Sequence, residues 1–321
     1  MRVIPNKPLI NFNENLEFIK EYDYDHLIDR LYVHWDLLTK CNFLCSYCYA
    51  KRQYKENWNK SVTFNKQKFI IECISKSELP VFLGLLGGEP TLDPNFLVLY
   101  ELIQDQIMSK SSENRLYITT NGSTNVFKDL KYYKNTYILW SCHFEFKEKY
   151  GKNFEKFLNN IKISINKGFK NRVNFLLNPE KKYWDDTLFI FNELKKLNVE
   201  IHPHFLFKDD KLFEYTSDFF KYFKILNEMN KNFIFETKDG YVKLNDYTIF
   251  KNKLNIFKGW KCYNNNYEIS YDGKVKNMCN YFQKELIKDP LFFKKITKIE
   301  PIICNYNECN CDTLLRIYKE K

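Results

Sequence analysis

Between Leu31 and Phe207 short strand-like runs alternate with longer helix-like segments, and this alternation limits the fold more than any other feature. Strands are predicted at Leu31–Thr39, Val81–Leu86, Arg115–Thr120, Tyr137–Phe144, Arg172–Asn178 and Glu200–Phe207. Each is short and rich in β-branched, aromatic or leucine residues. Helices are predicted at Asn65–Ser77, Pro94–Ser109, Ser123–Tyr133, Asn153–Lys167 and Trp184–Leu197, with a further one near Ser217–Met229. Phe154, Phe157, Leu158, Ile161 and Ile165 recur at 3- and 4-residue spacing, which is one apolar helical stripe. Six strands separated by helices predict βαβ units, a parallel sheet and the α/β class.

After about residue 235 the pattern changes. Tyr267–Tyr271, the turn pair Asp272-Gly273 and Lys274–Met278 read as a β-hairpin, because Gly accepts positive φ. A length of 321 residues suits about two domains. The division expected is an extension over 1–30, an α/β unit over 31–234 and a small α+β unit over 235–321.

The 10 cysteines call for a reason. No apolar run approaches the roughly 20 residues of a membrane-spanning helix. Met1 to Glu17 has no apolar core of a signal peptide, so a cytoplasmic chain is expected. Thiols stay reduced in that compartment, and closely spaced ones there usually bind metal. The charge says less. Only six of the 50 cationic residues are Arg, at 2, 30, 52, 115, 172 and 316, and the net +10 is mostly lysine. Nucleic-acid sites favour the planar fork of Arg, so solvated lysine faces are the expected reading and a nucleic-acid partner is not.

Cys41, Cys45 and Cys48 form a C-x3-C-x2-C run just after the first strand. Three thiolates are one short of the usual structural zinc site. They can hold three irons of a [4Fe–4S] cluster and leave the fourth open. A zinc loop completed by a remote His is the alternative.

The run from Cys41 to Cys48, with Tyr47 before the third cysteine, resembles the cluster loop of radical S-adenosylmethionine (SAM) enzymes. Gly87-Gly88-Glu89-Pro90 ends the second strand, like the family's segment that receives the SAM amino group. Thr120-Asn121-Gly122 ends the third strand, and Asn174 lies in the fifth, where the family often places a polar contact to the SAM ribose. The resemblance covers roughly residues 31–207. It implies a partial (β/α)6 TIM-like barrel with its site at the C-terminal strand ends, where loops vary without disturbing the core. The two glycines would let backbone amides approach a ligand closely; a tight strand–helix turn is the plainer reading. The resemblance also implies the chemistry: reductive cleavage of SAM to a 5′-deoxyadenosyl radical that abstracts hydrogen from a substrate, with a flavodoxin, ferredoxin or reductase as electron donor.

The tail holds Cys262, Cys279, Cys304, Cys309 and Cys311. With Gly273 in the hairpin turn it resembles the auxiliary-cluster extensions called SPASM or twitch domains, although the spacing from Gly273 to Cys279 is one residue longer than usual. That implies one auxiliary [4Fe–4S] cluster with a spare cysteine, and structural zinc is its competitor.

In the fourth strand Ser141, His143 and Glu145 share one face by period-two alternation. Ser141 is a SAM candidate by resemblance, and His143 and Glu145 are candidates for SAM or substrate contact or proton transfer. His34, His202 and His204 also fall in strands and suggest a polar lumen. Cys142 alternates to the opposite face, which leaves burial or radical quenching open, and Cys73 reads as core. The expected substrate is a small polar metabolite, a sugar or nucleotide-sugar. A ribosomally made peptide is the rival, weakened by only 40 residues before Cys41. An iron–sulfur electron carrier is the non-enzyme reading.

Overall fold

The computed structural model describes residues 7–23, 27–43, 45–48, 59–143, 152–208, 211–223, 233–277, 279, 283–309 and 316–321. After β1 (Lys20–Asp23), the α/β unit runs β2 (Leu31–Leu38), α1 (Phe64–Ile74), β3 (Val81–Gly87), α2 (Phe96–Gln106), β4 (Arg115–Thr120), β5 (Thr136–Cys142), α3 (Lys152–Asn166), β6 (Lys170–Leu177), α4 (Trp184–Lys195) and β7 (Glu200–Phe205). Strands β2 to β7 pair in chain order, every pair parallel. This is the partial TIM-like α/β fold expected.

The strands alternate in burial. Leu31, Val33, Trp35 and Leu37 of β2 are buried, as are Ile138, Trp140 and Cys142 of β5. Their neighbours Tyr32, His34, Asp36, Leu139 and Ser141 are only half-buried. A strand's side chains point to opposite faces in turn, so one face is closed by the helices and the other lines a concavity.

One predicted helix is absent. Over Ser123–Tyr133 the backbone makes only a 3-10 turn, Val126–Lys128. The chain is held there by side chains instead. Phe127 and Leu130 are buried, Phe127 lies 4.6 Å from the Trp140 ring, and Asn160 donates to the carbonyls of Gly122 and Thr124 at 2.8 and 2.7 Å. The helix beginning at Ser217 is described as α5 (Ser217–Tyr222). A two-stranded ribbon of β8 (Phe207–Lys208) and β9 (Lys211–Leu212) precedes it.

The later strands are β10 (Phe233–Glu236) and β11 (Tyr241–Leu244), then α6 (Asp246–Lys251), β12 (Lys261–Cys262), β13 (Asn266–Ile269), β14 (Lys274–Asn277), β15 (Gln283–Glu285), β16 (Ile302–Ile303) and β17 (Lys319–Glu320). The expected hairpin is β13–β14. Its turn uses four residues, with Ser270 N donating to Lys274 O at 2.9 Å and Gly273 at φ +81. The expected domain limits are crossed by strand pairing. β13 runs parallel to β2, so the hairpin extends the barrel sheet in the order β15-β14-β13-β2-β3-β4-β5-β6-β7. β1, expected in an extension, joins an antiparallel sheet of order β11-β10-β1-β17-β12-β16. Among the described residues no helix is long and apolar enough to cross a membrane.

Gly87 and Gly88 decide how closely β3 approaches β2. A Cβ on Gly87, whose φ is +119, would lie 2.1 Å from Leu38 O, and one on Gly88 would lie 2.0 Å from Lys40 O. Both clashes are with backbone, which no rotamer change relieves. Gly88→Ala should therefore destabilise the fold by more than about 3 kcal/mol in chemical denaturation, whereas Gly259→Ala, at φ +86 with nothing within 4 Å, should cost about 1 kcal/mol. Equal losses would show that the close approach carries no energy.

Candidate active site

The first cysteine loop leaves the C-terminal end of β2. Thr39 is buried, its N–H donates to Lys60 O at 2.8 Å, and its hydroxyl accepts from Lys60 N at 2.7 Å. Phe43 is buried in the barrel core and anchors the loop. Phe43 N lies 3.4 Å from Cys41 Sγ, and Asn121 Nδ2 points at the same sulfur from 3.8 Å. Asn121 Nδ2 also donates to Asn42 Oδ1 at 3.0 Å, while Asn42 Nδ2 donates to Ser123 Oγ at 2.8 Å. Cys45 Sγ lies 3.5 Å from His143 Nδ1, and the Tyr47 hydroxyl lies 2.7 Å from the same nitrogen, with the two rings stacked. Cys48 closes the loop through its N–H to Cys45 O at 3.2 Å. Burial pushes the Cys41 thiol up to about 12 and holds the His143 imidazole down at about 4.

Beside this loop the end of β3 is tied to backbone. Gly88 N donates to Leu38 O at 2.9 Å and Glu89 N to Lys40 O at 2.8 Å. The expectation that these amides face a ligand is therefore corrected: they bond to the loop, and the missing Cβ atoms make room for it. Glu89 is 1% exposed. Its carboxylate accepts from Thr91 N at 3.1 Å, the Thr91 hydroxyl, Thr120 Oγ1 at 2.8 Å and Asn121 N at 2.6 Å. Burial raises its pKa even against these four donors. Its side chain is a brace between the ends of β3 and β4, and Pro90, also buried, starts the 3-10 turn Pro90–Leu92 behind it.

The concave face presents a polar row. Ser141, Asn174 and His202 are register neighbours across β5, β6 and β7. Period two along β6 places Arg172 on the same face as Asn174, and Glu200 beside it in register hydrogen-bonds His202. Leu176 and His204 lie one step nearer the strand ends. The Oδ1 of Asn174 is buried without a hydrogen-bond partner among the described residues. On the other flank His34 stands between Gly84 and Glu268 in register, and burial lowers its pKa. Sequence reading missed Arg172, Glu200 and Glu268, although alternation with Asn174 and His202 was a signal for the first two.

Cys142 is corrected as a radical-quenching candidate. It is 1% exposed on the face opposite Ser141, in the core with Trp140, and burial alone raises its thiol pKa. Cys73 is core, as expected. Glu145 and Cys311 lie outside the described residues. In the tail, Cys262 is on β12, and Cys304 follows β16, the strand paired with β12. Cys309 is tied to Asn255 O by its N–H at 2.8 Å. Burial first, and then the thiols of Cys262, Cys309 and Cys304, raise the Cys279 thiol, and Cys304 and Cys309 pack against one apolar cluster. The nine described cysteines are all free thiols. Among the described residues no three His, Cys, Asp or Glu side chains converge as a group that could hold a metal ion.

A family model described as the Radical SAM superfamily matches residues 35–200, from β2 to the start of β7. The chain belongs to the radical SAM superfamily. Membership implies SAM and a [4Fe–4S] cluster, and the loop suits that cluster: three cysteines within eight residues, with N–H groups aimed at Cys41 Sγ. An "S-adenosylmethionine-dependent nucleotide dehydratase" from Selenomonas ruminantium is 31% identical over 91 residues, 28% of this chain and 30% of that protein. The chain thus matches under a third of that relative's length. The solved structure of polyhistidine-tagged anSMEcpe with bound AdoMet superposes with a TM-score of 0.52 at 15% identity, over 84% of this chain and 82% of that one. Native anSMEcpe with bound AdoMet gives 0.50 at 13% identity, over 83% and 82%. At such identity the likeness is one of fold.

Glu89→Gln places an amide where Thr120 and Asn121 both donate. It should destabilise this radical SAM chain by about 2 kcal/mol in denaturant and lower the iron retained after anaerobic reconstitution. Wild-type stability and iron content in that variant would remove Glu89 as the brace.

Proposed function

We propose that this radical SAM enzyme abstracts hydrogen from a small anionic metabolite, a nucleotide or nucleotide-sugar, held in the barrel concavity. The carrying observation is the inner face of the sheet, where Ser141 and Asn174, given to SAM below, have His202 as the next register neighbour and Arg172 two residues back along β6. Arg is the side chain suited to bidentate phosphate recognition, and this one lies on the same face as Asn174 by period two along β6. The name of the Selenomonas relative supports a nucleotide substrate, and dehydration is the reaction it favours over oxidation or epimerisation.

Cys41, Cys45 and Cys48 hold the cluster, which when bound and reduced supplies the electron for SAM cleavage. The chain's residues do the rest by placement. Asn121 and the Phe43 amide direct N–H groups at the Cys41 sulfur and stabilise its thiolate. Ser141 and Asn174 hold SAM from the sheet, and the Asn174 Oδ1 awaits a hydroxyl donor. Gly87, Gly88, Glu89 and Pro90 serve SAM through the shape of their backbone. Tyr47 and His143 close one side of the loop.

The tail, with strand β1, forms the SPASM/twitch-like unit. Cys262, Cys279, Cys304 and Cys309 hold an auxiliary [4Fe–4S] cluster, with Cys311 as the spare. The pairing of the Cys262 strand with the strand leading into Cys304, the packing of Cys304 and Cys309 on one apolar cluster and the Tyr306 hydroxyl donating to Cys279 O support this reading. A flavodoxin- or ferredoxin-type donor supplies electrons.

Reconstituted protein should carry about eight iron per chain and release 5′-deoxyadenosine from SAM under dithionite. Cys45→Ala should carry about four and release none; turnover in that variant would overturn the assignment. Deuterium transfer into 5′-deoxyadenosine from labelled nucleotides, nucleotide-sugars and peptides identifies the substrate. Arg172→Gln should raise KM for that substrate about tenfold while kcat changes less. Transfer from a peptide alone would replace the nucleotide reading.

A further inference from the structure

A row of side chains crosses four strands of the antiparallel sheet. Glu21 of β1, Lys319 of β17, Cys262 of β12 and Ile302 of β16 are successive register partners. Directly opposed residues share a face with their Cβ atoms about 5 Å apart. The sheet therefore sets an ammonium beside a cysteine and a carboxylate beside the ammonium.

The charged members are deeply buried: Glu21 is 0% exposed and Lys319 2%. Lys319 Nζ donates to Glu21 Oε2 at 2.6 Å and to Ile317 O at 2.8 Å, and it lies 4.7 Å over the Phe257 ring. Burying such a pair costs several kcal/mol per ion before compensation, and apolar residues often serve stability as well. Stability is thus a poor account of why a lysine stands here. Its surroundings supply another. Cys262 stands directly opposite it on β12, and the buried Glu21 carboxylate holds its ammonium from the other side.

We propose that Lys319, positioned by Glu21, is the buried counter-cation of the C-terminal thiolate set and raises the reduction potential of the cluster held there. This rests on the auxiliary-cluster reading above. Four thiolates and their cluster are a net anion in a low-dielectric setting, and each added electron increases that charge. A fixed cation within the same row favours the reduced state, since net charge and burial are among the quantities that set such potentials. The role of Lys319 is positioning and electrostatic.

The test uses full-length, anaerobically reconstituted holoprotein. EPR-monitored redox titration resolves two centres, and SAM addition marks the one held by Cys41, Cys45 and Cys48. Lys319→Met should make reduction of the second centre at least tenfold less favourable, about 59 mV more negative for one electron, and leave the SAM-binding centre unmoved. Lys319→Arg should stay near wild type, and Glu21→Gln, which keeps the cation and removes the opposing anion, should move the second centre positive. An unmoved second centre in Lys319→Met with about eight iron would overturn the proposal while sparing the cluster. If Lys319→Met loses its second centre, Glu21→Gln decides, and a negative or absent shift there overturns the proposal. Wild-type protein with about four iron and one centre would sink the cluster reading and the proposal together.

Discussion

The site depends on one close contact, where the end of β3 meets the backbone leaving β2. Gly87 and Gly88 have no Cβ to keep the two apart, so Gly88 N and Glu89 N reach Leu38 O and Lys40 O. That contact delivers Glu89 to the gap between β3 and β4, where its carboxylate gathers Thr91, Thr120 and Asn121. Asn121, so fixed, aims its amide at Asn42 and Cys41. A chain of short polar contacts therefore runs from the Gly-Gly turn to the Cys41 sulfur. Glu89 offsets the cost of its burial by ordering the chain around it, and four donors are what make a buried carboxylate tolerable.

The alternation of the sheet does the second part of the work. Outward residues such as Trp35 and Trp140 make a tight apolar layer against the helices. Inward residues are then free to be polar, and Ser141, Arg172, Asn174, His202 and His204 occupy that side. The hairpin β13–β14 continues the sheet beyond β2 and adds Glu268 beside His34. The barrel is thus widened on its β2 edge by chain that lies far away in sequence.

The antiparallel sheet gathers distant chain in the same way. It draws β1 and β17 together between β10 and β12, and in doing so brings Glu21 and Lys319 alongside Cys262. Cys304 and Cys309 arrive by separate routes, one after β16 and the other through Asn255. Residues spread over 298 positions of chain meet in one buried row.

Much of this was legible in the residues. Six strands in order, the cysteine loop after the first, and Cys142 opposite Ser141 all follow from spacing and period, because local backbone geometry sets them. The helix expected over Ser123–Tyr133 failed because Phe127, Leu130 and Asn160 held the chain in another path, a tertiary override of a modest local preference. Glu89 was readable as a motif member but not as a brace, since the donors that tie it to β4, Thr120 and Asn121, lie 31 and 32 residues away. Arg172 could have been found by counting twos from Asn174. By itself the sequence determined the α/β class, the inward and outward faces and the three-cysteine loop after the first barrel strand, because each depends on contacts within a few residues. Only the tertiary structure decided that the glycines serve a backbone contact, that the hairpin belongs to the barrel sheet and that Lys319 stands beside Cys262. Those depend on which distant strands pair, and register between distant strands is set by packing of the whole chain.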